Sequence, residues 1–216
     1  MRGGAGMSPH RPGKWTLLGV IFGLGVVLDQ VTKFLAVERL TVAFQRVGAH
    51  SLPERLHAFL TLRYLEPVAT QPYYVFRPFW RMLYAENPNA AFGFMAFLPG
   101  GLRYRLFLVI SALAVVFVIY YYRRLRAGQR FLQVALAFLL AGTVGNLVDR
   151  LIRHYVIDFI DWYWWNRPDI RWPTFNLADS MLVVGIAMLL VHPSPRSAGA
   201  PADSRSAGNK RGAPGV

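Results

Sequence analysis

The chain contains no cysteine. That absence excludes disulfides, thiolate catalysis and cysteine-based zinc sites, and it leaves the chain no thiol of its own to carry a lipid. Acidic residues are few, 11 against 24 Lys and Arg. A His pair at metal-ligand spacing, a G-x-S-x-G elbow and a phosphate-binding glycine loop are also missing, which removes common metal, serine and nucleotide chemistries. The five His scatter over tails and loops and read as incidental. Carboxylates are the reactive groups that remain.

What is present is apolar surface. Hydrophobic residues make up 54% of the chain and charged residues 16%, against about 25% charged in ordinary globular domains. The apolar residues form long blocks instead of amphipathic stripes, so the chain reads as a membrane protein. Four blocks, 15–37, 104–122, 131–150 and 175–192, approach or exceed the roughly 20 residues needed to cross a bilayer. The first has a basic lead like a secretory signal, yet it runs through Asp29 and Lys33 to Val37 without a small-x-small cleavage site, and is taken as a span.

The net charge of +13 raises the question of nucleic acid, but its distribution answers otherwise. Arg2, Arg11 and Lys14 precede the first block, Arg123, Arg124, Arg126 and Arg130 fill the turn after the second, and Arg196, Arg205, Lys210 and Arg211 follow the last. Such flanking charge marks cytoplasmic span ends, so no nucleic-acid partner is expected. The expected fold class is therefore all-α integral membrane, with four transmembrane helices and both termini cytoplasmic. Residues 1–14 form an N-terminal tail, 15–192 the membrane domain, and the Pro-, Ser- and Gly-rich 193–216 a disordered basic tail. Segments 38–103 and 151–174 then lie on the opposite side. In the first of these, "FLTLRYLEP" and "PYYVFRPFW" suggest short strands with an interfacial helix.

Ionisable groups inside spans cost on the order of 2.5–3.5 kcal/mol each, so they are candidates for function. Asp29 and Lys33 are spaced i,i+4 and share a helix face, as a local ion pair or as support for a nearby site. Gly142 and Gly145 permit close helix packing; Asn146 and Asp149 share a face, and Arg150 faces Asn146. Asp158 lies nine residues past Asp149, about 13 Å further along if the helix continues. The aromatic stretch from Trp162 to Trp172 marks a membrane–water interface just beyond it. Asp161 is equally close, and spacing does not choose between the two.

Asn176 followed by Asp179 resembles an N-terminal cap, and a carboxylate in the first turn suits the helix dipole. The chain re-enters the membrane there, so Asp179 is expected at the depth of Asp158 on an adjacent antiparallel span. Two neighbouring carboxylates in a dry setting share a proton, and such an acid–base pair can activate water. This is the chemistry of aspartic proteases.

The motifs "LDQVTK" at 28–33, "NPNAAFGF" at 87–94, "GNLVDR" at 145–150, "VIDF" at 156–159 and "FNLADS" at 175–180 resemble, in order, those of the bacterial lipoprotein signal peptidases (signal peptidase II, peptidase family A8). The resemblance implies a four-helix membrane aspartic endopeptidase with a small extracytoplasmic β-rich cradle, acting in the bacterial cytoplasmic (inner) membrane near its extracytoplasmic face. It implies cleavage of prolipoproteins before a diacylglyceryl-modified cysteine, without metal or organic cofactor, by a monomer in contact with membrane lipids. It carries the catalytic pair over to Asp158 and Asp179. By the same resemblance Asp29 and Lys33 form a structural pair, Asn87, Asn146 and Arg150 hold the substrate backbone, and Asp149, Asn176 and Ala178 shape the pocket. Two departures stand out: Asn89 occupies a position where the family usually has Gly, and residues 44–80 look like an insertion. The competing readings are an ion-coupled transporter, weak without an inverted repeat, and a non-catalytic membrane scaffold.

Overall fold

The structure, a computed structural model, describes residues 13–65, 67–88 and 99–192. The tail at 193–216 and the Asn89 departure lie outside the described residues. The order of elements is α1 (Lys14–Leu40), α2 (Ala43–Arg46), α3 (Leu52–Leu60), a 3-10 turn (Leu62–Tyr64), β1 (Tyr73–Phe76), β2 (Trp80–Asn87), α4 (Gly100–Arg124), α5 (Arg130–Arg153), β3 (Val156–Trp164), β4 (Arg167–Arg171) and α6 (Leu177–Val191). The chain is mostly helical, with a small antiparallel sheet.

The helices are inverted relative to those of a soluble protein. In α1, Asp29 and Lys33 are both 0% exposed, whereas Leu24, Val27, Leu28 and Val31 face outward. An apolar exterior around buried charges is what a hydrocarbon solvent selects. Helix α1, residues 101–124 of α4, and α5 are long and apolar enough to cross a membrane; α6 is apolar but shorter, at 15 residues. Helix α5 packs against α1, α4 and α6. Its contact with α6 depends on Gly142, where a Cβ would lie 2.4 Å from the backbone oxygen of Ala178.

Helix α5 does not continue as far as Asp158. It ends at Arg153, and His154 follows in the left-handed region (φ 69°), turning the chain into β3. Asp158 is thus a strand residue, and the expected 13 Å of further helix is absent. The four strands pair antiparallel in the order β1-β2-β3-β4. Along β2 and β3, Asn87 pairs with Val156, Ala85 with Asp158 and Arg81 with Asp161.

The segment before the sheet departs from expectation in one place. "PYYVFRPFW" does supply β1 and the start of β2, but "FLTLRYLEP" closes α3 and forms the 3-10 turn. Ser51 starts α3 with a reciprocal capping box to Glu54 and a proline in the first turn, a strong helix start. Phe59 and Leu62, three apart, then bury against Phe44, Val37 and Leu40, and against Ile157 and Phe159 of β3. This burial holds the segment helical and braces β3 from behind.

Candidate functional site

The polar residues of α1, α5, β2, β3 and the start of α6 meet in one buried network. At its base, Lys33 Nζ lies 2.8 Å from Asp29 Oδ2 and 2.9 Å from Asp149 Oδ2, all fully buried. Asp29 and Lys33 form the local ion pair expected from their spacing, and Asp29 Oδ1 also accepts the backbone N–H of Ala178 at 3.0 Å. Asp29 therefore supports the first turn of α6, where free N–H groups need acceptors. Asp149 accepts the N–H of Ile157 at 3.0 Å, which fixes the start of β3, and pairs with Arg153 at 2.7 Å.

Above this base sit two asparagines whose orientations are forced. Lys33 can only donate, and it donates to Asn146 Oδ1 at 3.2 Å. Asn146 Nδ2 consequently points at Asp179 Oδ1, 2.7 Å away. Asn176 is the N-cap of α6: its Oδ1 accepts the N–H of Asp179 at 3.0 Å, and Asp179 Oδ2 accepts the N–H of Asn176 at 3.2 Å. The cap legible in the sequence is present as a full capping box. Asn176 Nδ2 then turns to Asp158 Oδ1 at 2.7 Å, to Asn146 Oδ1 at 3.1 Å and to the carbonyl of Ile157 at 3.2 Å.

Asp158 is 2% exposed and has a second donor, Asn87 Nδ2, 2.9 Å from its Oδ2. Burial first, and the charge of Asp179 second, push the Asp158 carboxyl up to about 7, against the opposing effect of Asn87, Asn176 and Lys33. Arg150 donates to the carbonyl of Asn146 at 3.3 Å, and its charge acts on Asp179, Asp149 and Asp158. The ten residues that the family resemblance carries over are therefore placed around one centre. Asp161 is not: it lies on the other face of β3, ion-paired with Arg81 at 2.5 Å and near Arg171 at 3.7 Å.

Two participants escaped the sequence reading. Gln30 donates to Asp29 Oδ2, Asp149 Oδ1 and the carbonyl of Gly145, tying α1 to α5. It stands inside the quoted "LDQVTK", and its polarity within a span was the available signal. Arg153 is fully buried with its guanidinium 3.9 Å from the centre of the Phe59 ring; its i,i+4 spacing from Asp149 was the clue. Among the described residues no group of three or more His, Asp or Glu could hold a metal ion. A network that ties a strand carboxylate and a helix-end carboxylate to the same asparagine, with the charge of one acting on the other, suits acid–base activation of water.

Residues 21–193 match the family described as Signal peptidase (SPase) II. The chain is 55% identical over 210 residues to a protein of Anaeromyxobacter sp. (strain Fw109-5) named lipoprotein signal peptidase, covering 97% of this chain and 100% of that one. A lipoprotein signal peptidase of Vibrio cholerae serotype O1 (strain M66-2) is 36% identical over 127 residues, 59% of this chain and 72% of that protein. Among solved structures, a bacterial membrane enzyme determined by the in meso method at 2.3 Å resolution superposes with a TM-score of 0.58 at 25% identity, over 82% of this chain and 86% of that one. A second, at 1.9 Å resolution, has a TM-score of 0.61 at 24% identity, over 85% and 96%.

Proposed function

The chain belongs to the signal peptidase II family of membrane aspartic peptidases, and from that premise we propose that Asp158 and Asp179 are its catalytic pair. The protein removes signal peptides from prolipoproteins. The observation that carries the dyad is the shared tie to Asn176, which holds Asp158 by its amide nitrogen and Asp179 by its amide oxygen and backbone N–H.

The mechanism follows from that arrangement. The pair shares one proton, held on Asp158, whose carboxyl is raised to about 7. Asp179 takes a proton from a water molecule as that water attacks the scissile carbonyl, while Asp158 donates its proton to the carbonyl oxygen. Collapse of the tetrahedral intermediate returns a proton to the leaving amine, which is the amine of the diacylglyceryl-modified cysteine. Arg150, Asn87 and Asn146 border the centre and hold the substrate backbone. No metal or organic cofactor enters the scheme.

Topology supports the same reading. Helices α1, α4, α5 and α6 are the four spans, with both termini and the Arg123–Arg130 turn cytoplasmic. At 15 residues, α6 is about 22 Å long, short of the roughly 30 Å hydrocarbon layer. With its far end at the inner boundary, its Asn176 end sits about 8 Å inside the outer one. A substrate tethered by acyl chains presents its scissile bond at that depth. The enzyme acts as a monomer in the bacterial inner membrane, in contact with lipids.

The test uses the purified protein in detergent with a diacylglyceryl-modified prolipoprotein and the same precursor without the lipid. Cleavage of the modified form alone, leaving the lipidated cysteine as the new N-terminus, is expected. Equal cleavage of both forms removes the lipid requirement, and cleavage elsewhere removes the assigned bond.

A further inference from the structure

The strand that carries Asp158 continues well beyond the site. Asp158, Ile160, Trp162 and Trp164 alternate onto one face of β3; Ile157, Phe159, Asp161 and Tyr163 occupy the other. The second face is fully used: Ile157 and Phe159 pack on the α1–α3 core, and Asp161 holds Arg81. The first face is buried at Asp158 and then opens. Trp162 is 47% exposed, Trp164 71% and Trp172 60%.

Pairing across the sheet widens this apolar face. Trp172, just past the end of β4, donates its backbone N–H to the carbonyl of Trp162, which puts the two residues opposite each other with their side chains on the same face. Ile170, two residues before Trp172, shares that side and is half exposed, whereas Arg171 between them pairs with Tyr163 on the other. Phe76 flanks the row from β1, again half exposed. Along its length the hairpin carries indoles and aliphatic carbon on the side of Trp162 and Trp172 and Arg171 on the other; at its tip, past a register shift, Arg167 pairs with Trp164 and holds Asp169 at 2.8 Å.

The position of this face indicates what covers it. Trp162 packs edge-on against Phe175 at 5.0 Å, and Phe175 immediately precedes Asn176, the cap of α6. The aromatic row thus starts where α6 begins, a helix whose Val183, Val184 and Ile186 also face outward. Indoles beside the end of a span concentrate at the boundary between headgroups and acyl chains, with apolar bodies buried and N–H groups wet.

We propose that the β3–β4 hairpin is an interfacial anchor whose indole face rests on the lipid of the outer leaflet and sets the depth of Asp158. The occupant is phospholipid at the headgroup–acyl boundary. The inference rests on the membrane orientation given above for the dyad, not on the identity of the bond cleaved. Because Asp158 and Trp164 belong to one continuous strand, fixing the tip against lipid fixes the carboxylate relative to a substrate held by its acyl chains.

The absence of native cysteine makes the test direct. Trp164→Cys, Ile170→Cys and Arg171→Cys each accept one nitroxide label in the full chain, reconstituted into vesicles of phosphatidylcholine and phosphatidylglycerol. Relaxation by dissolved oxygen, which partitions into lipid, is compared with relaxation by a water-soluble nickel chelate. Oxygen should dominate at 164 and 170 and nickel at 171. Nickel dominance at all three sites overturns the proposal, as does selective protection of 164 and 170 by added prolipoprotein, which makes the face a substrate surface. In a second arm, Trp164→Ser combined with Trp172→Ser should lower cleavage in vesicles by about fivefold while leaving it unchanged in detergent; equal loss in both media, or none in either, overturns the anchor. The labelling arm reads depth whether or not the protein cleaves the chosen precursor, so its failure is distinct from failure of the peptidase reading.

Discussion

Asn176 donates its side-chain amide to Oδ1 of Asp158 at 2.7 Å and accepts the backbone N–H of Asp179 on its amide oxygen at 3.0 Å, so one residue sets the position of both carboxylates. Asn176→Ala removes the link and the helix cap together. The cap alone is worth about 1 kcal/mol, which a fluorescence melt in detergent should detect. Cleavage should fall further than that loss implies, by about 100-fold in kcat. A variant that melts lower yet keeps wild-type kcat would show that the link does not position the pair.

The pH profile follows from Asp158. Its carboxyl is raised to about 7 by burial and by Asp179, and the protonated form is the one the mechanism uses. Activity should therefore fall as pH rises through that region, with the apparent midpoint belonging to the coupled pair. Asn87 donates to Asp158 Oδ2 and favours the ionised form, so Asn87→Ala should shift the falling limb to higher pH. Measurement of kcat/KM from pH 5 to pH 9 decides the matter; a limb that stays in place or moves down contradicts the assignment.

Lys33 neutralises two fully buried carboxylates, Asp29 and Asp149. Lys33→Met leaves Asp29 without its cation, a loss on the order of 3–5 kcal/mol. Arg153 still pairs with Asp149, so the damage should centre on Asp29 and the first turn of α6. Lys33→Met with Asp29→Asn should recover part of the lost melting temperature. Equal melting temperatures for wild type and Lys33→Met would show the pair to be dispensable.

Gly145 tests the packing of α5 against α1. A Cβ there would sit 2.7 Å from Asp29 Oδ2 and 3.2 Å from Ala178 Cβ. Gly145→Ala should cost about 1–3 kcal/mol and displace Asp29 from Ala178, lowering both melting temperature and cleavage. Gly101→Ala, with nothing within 4 Å of the added carbon, should be neutral in the same assays.

The apolar blocks were legible because a lipid-facing helix has no periodicity to hide, and α1, α4 and α5 begin within four residues of the expected limits. The cap at Asn176 was legible because its two members are local in sequence. Asp158 was harder: it stands on a strand because His154 turns the chain out of α5 in a left-handed conformation that glycine more often supplies. The choice between Asp158 and Asp161 depends on the period of two along β3, which sends the first toward Asn176 and the second toward Arg81. The fate of "FLTLRYLEP" was hidden because the core that keeps Phe59 and Leu62 helical includes β3, about a hundred residues away in sequence.

The most direct test of the dyad is single-turnover cleavage of a diacylglyceryl-modified prolipoprotein by Asp158→Asn and Asp179→Asn, each shown to be folded by its melting curve. Each substitution keeps the shape of the side chain and removes its ability to carry the shared proton. Both variants should lose cleavage by at least about 1,000-fold while still binding the precursor. Cleavage at a rate comparable to wild type in either variant would contradict the assignment of Asp158 and Asp179 as the catalytic pair.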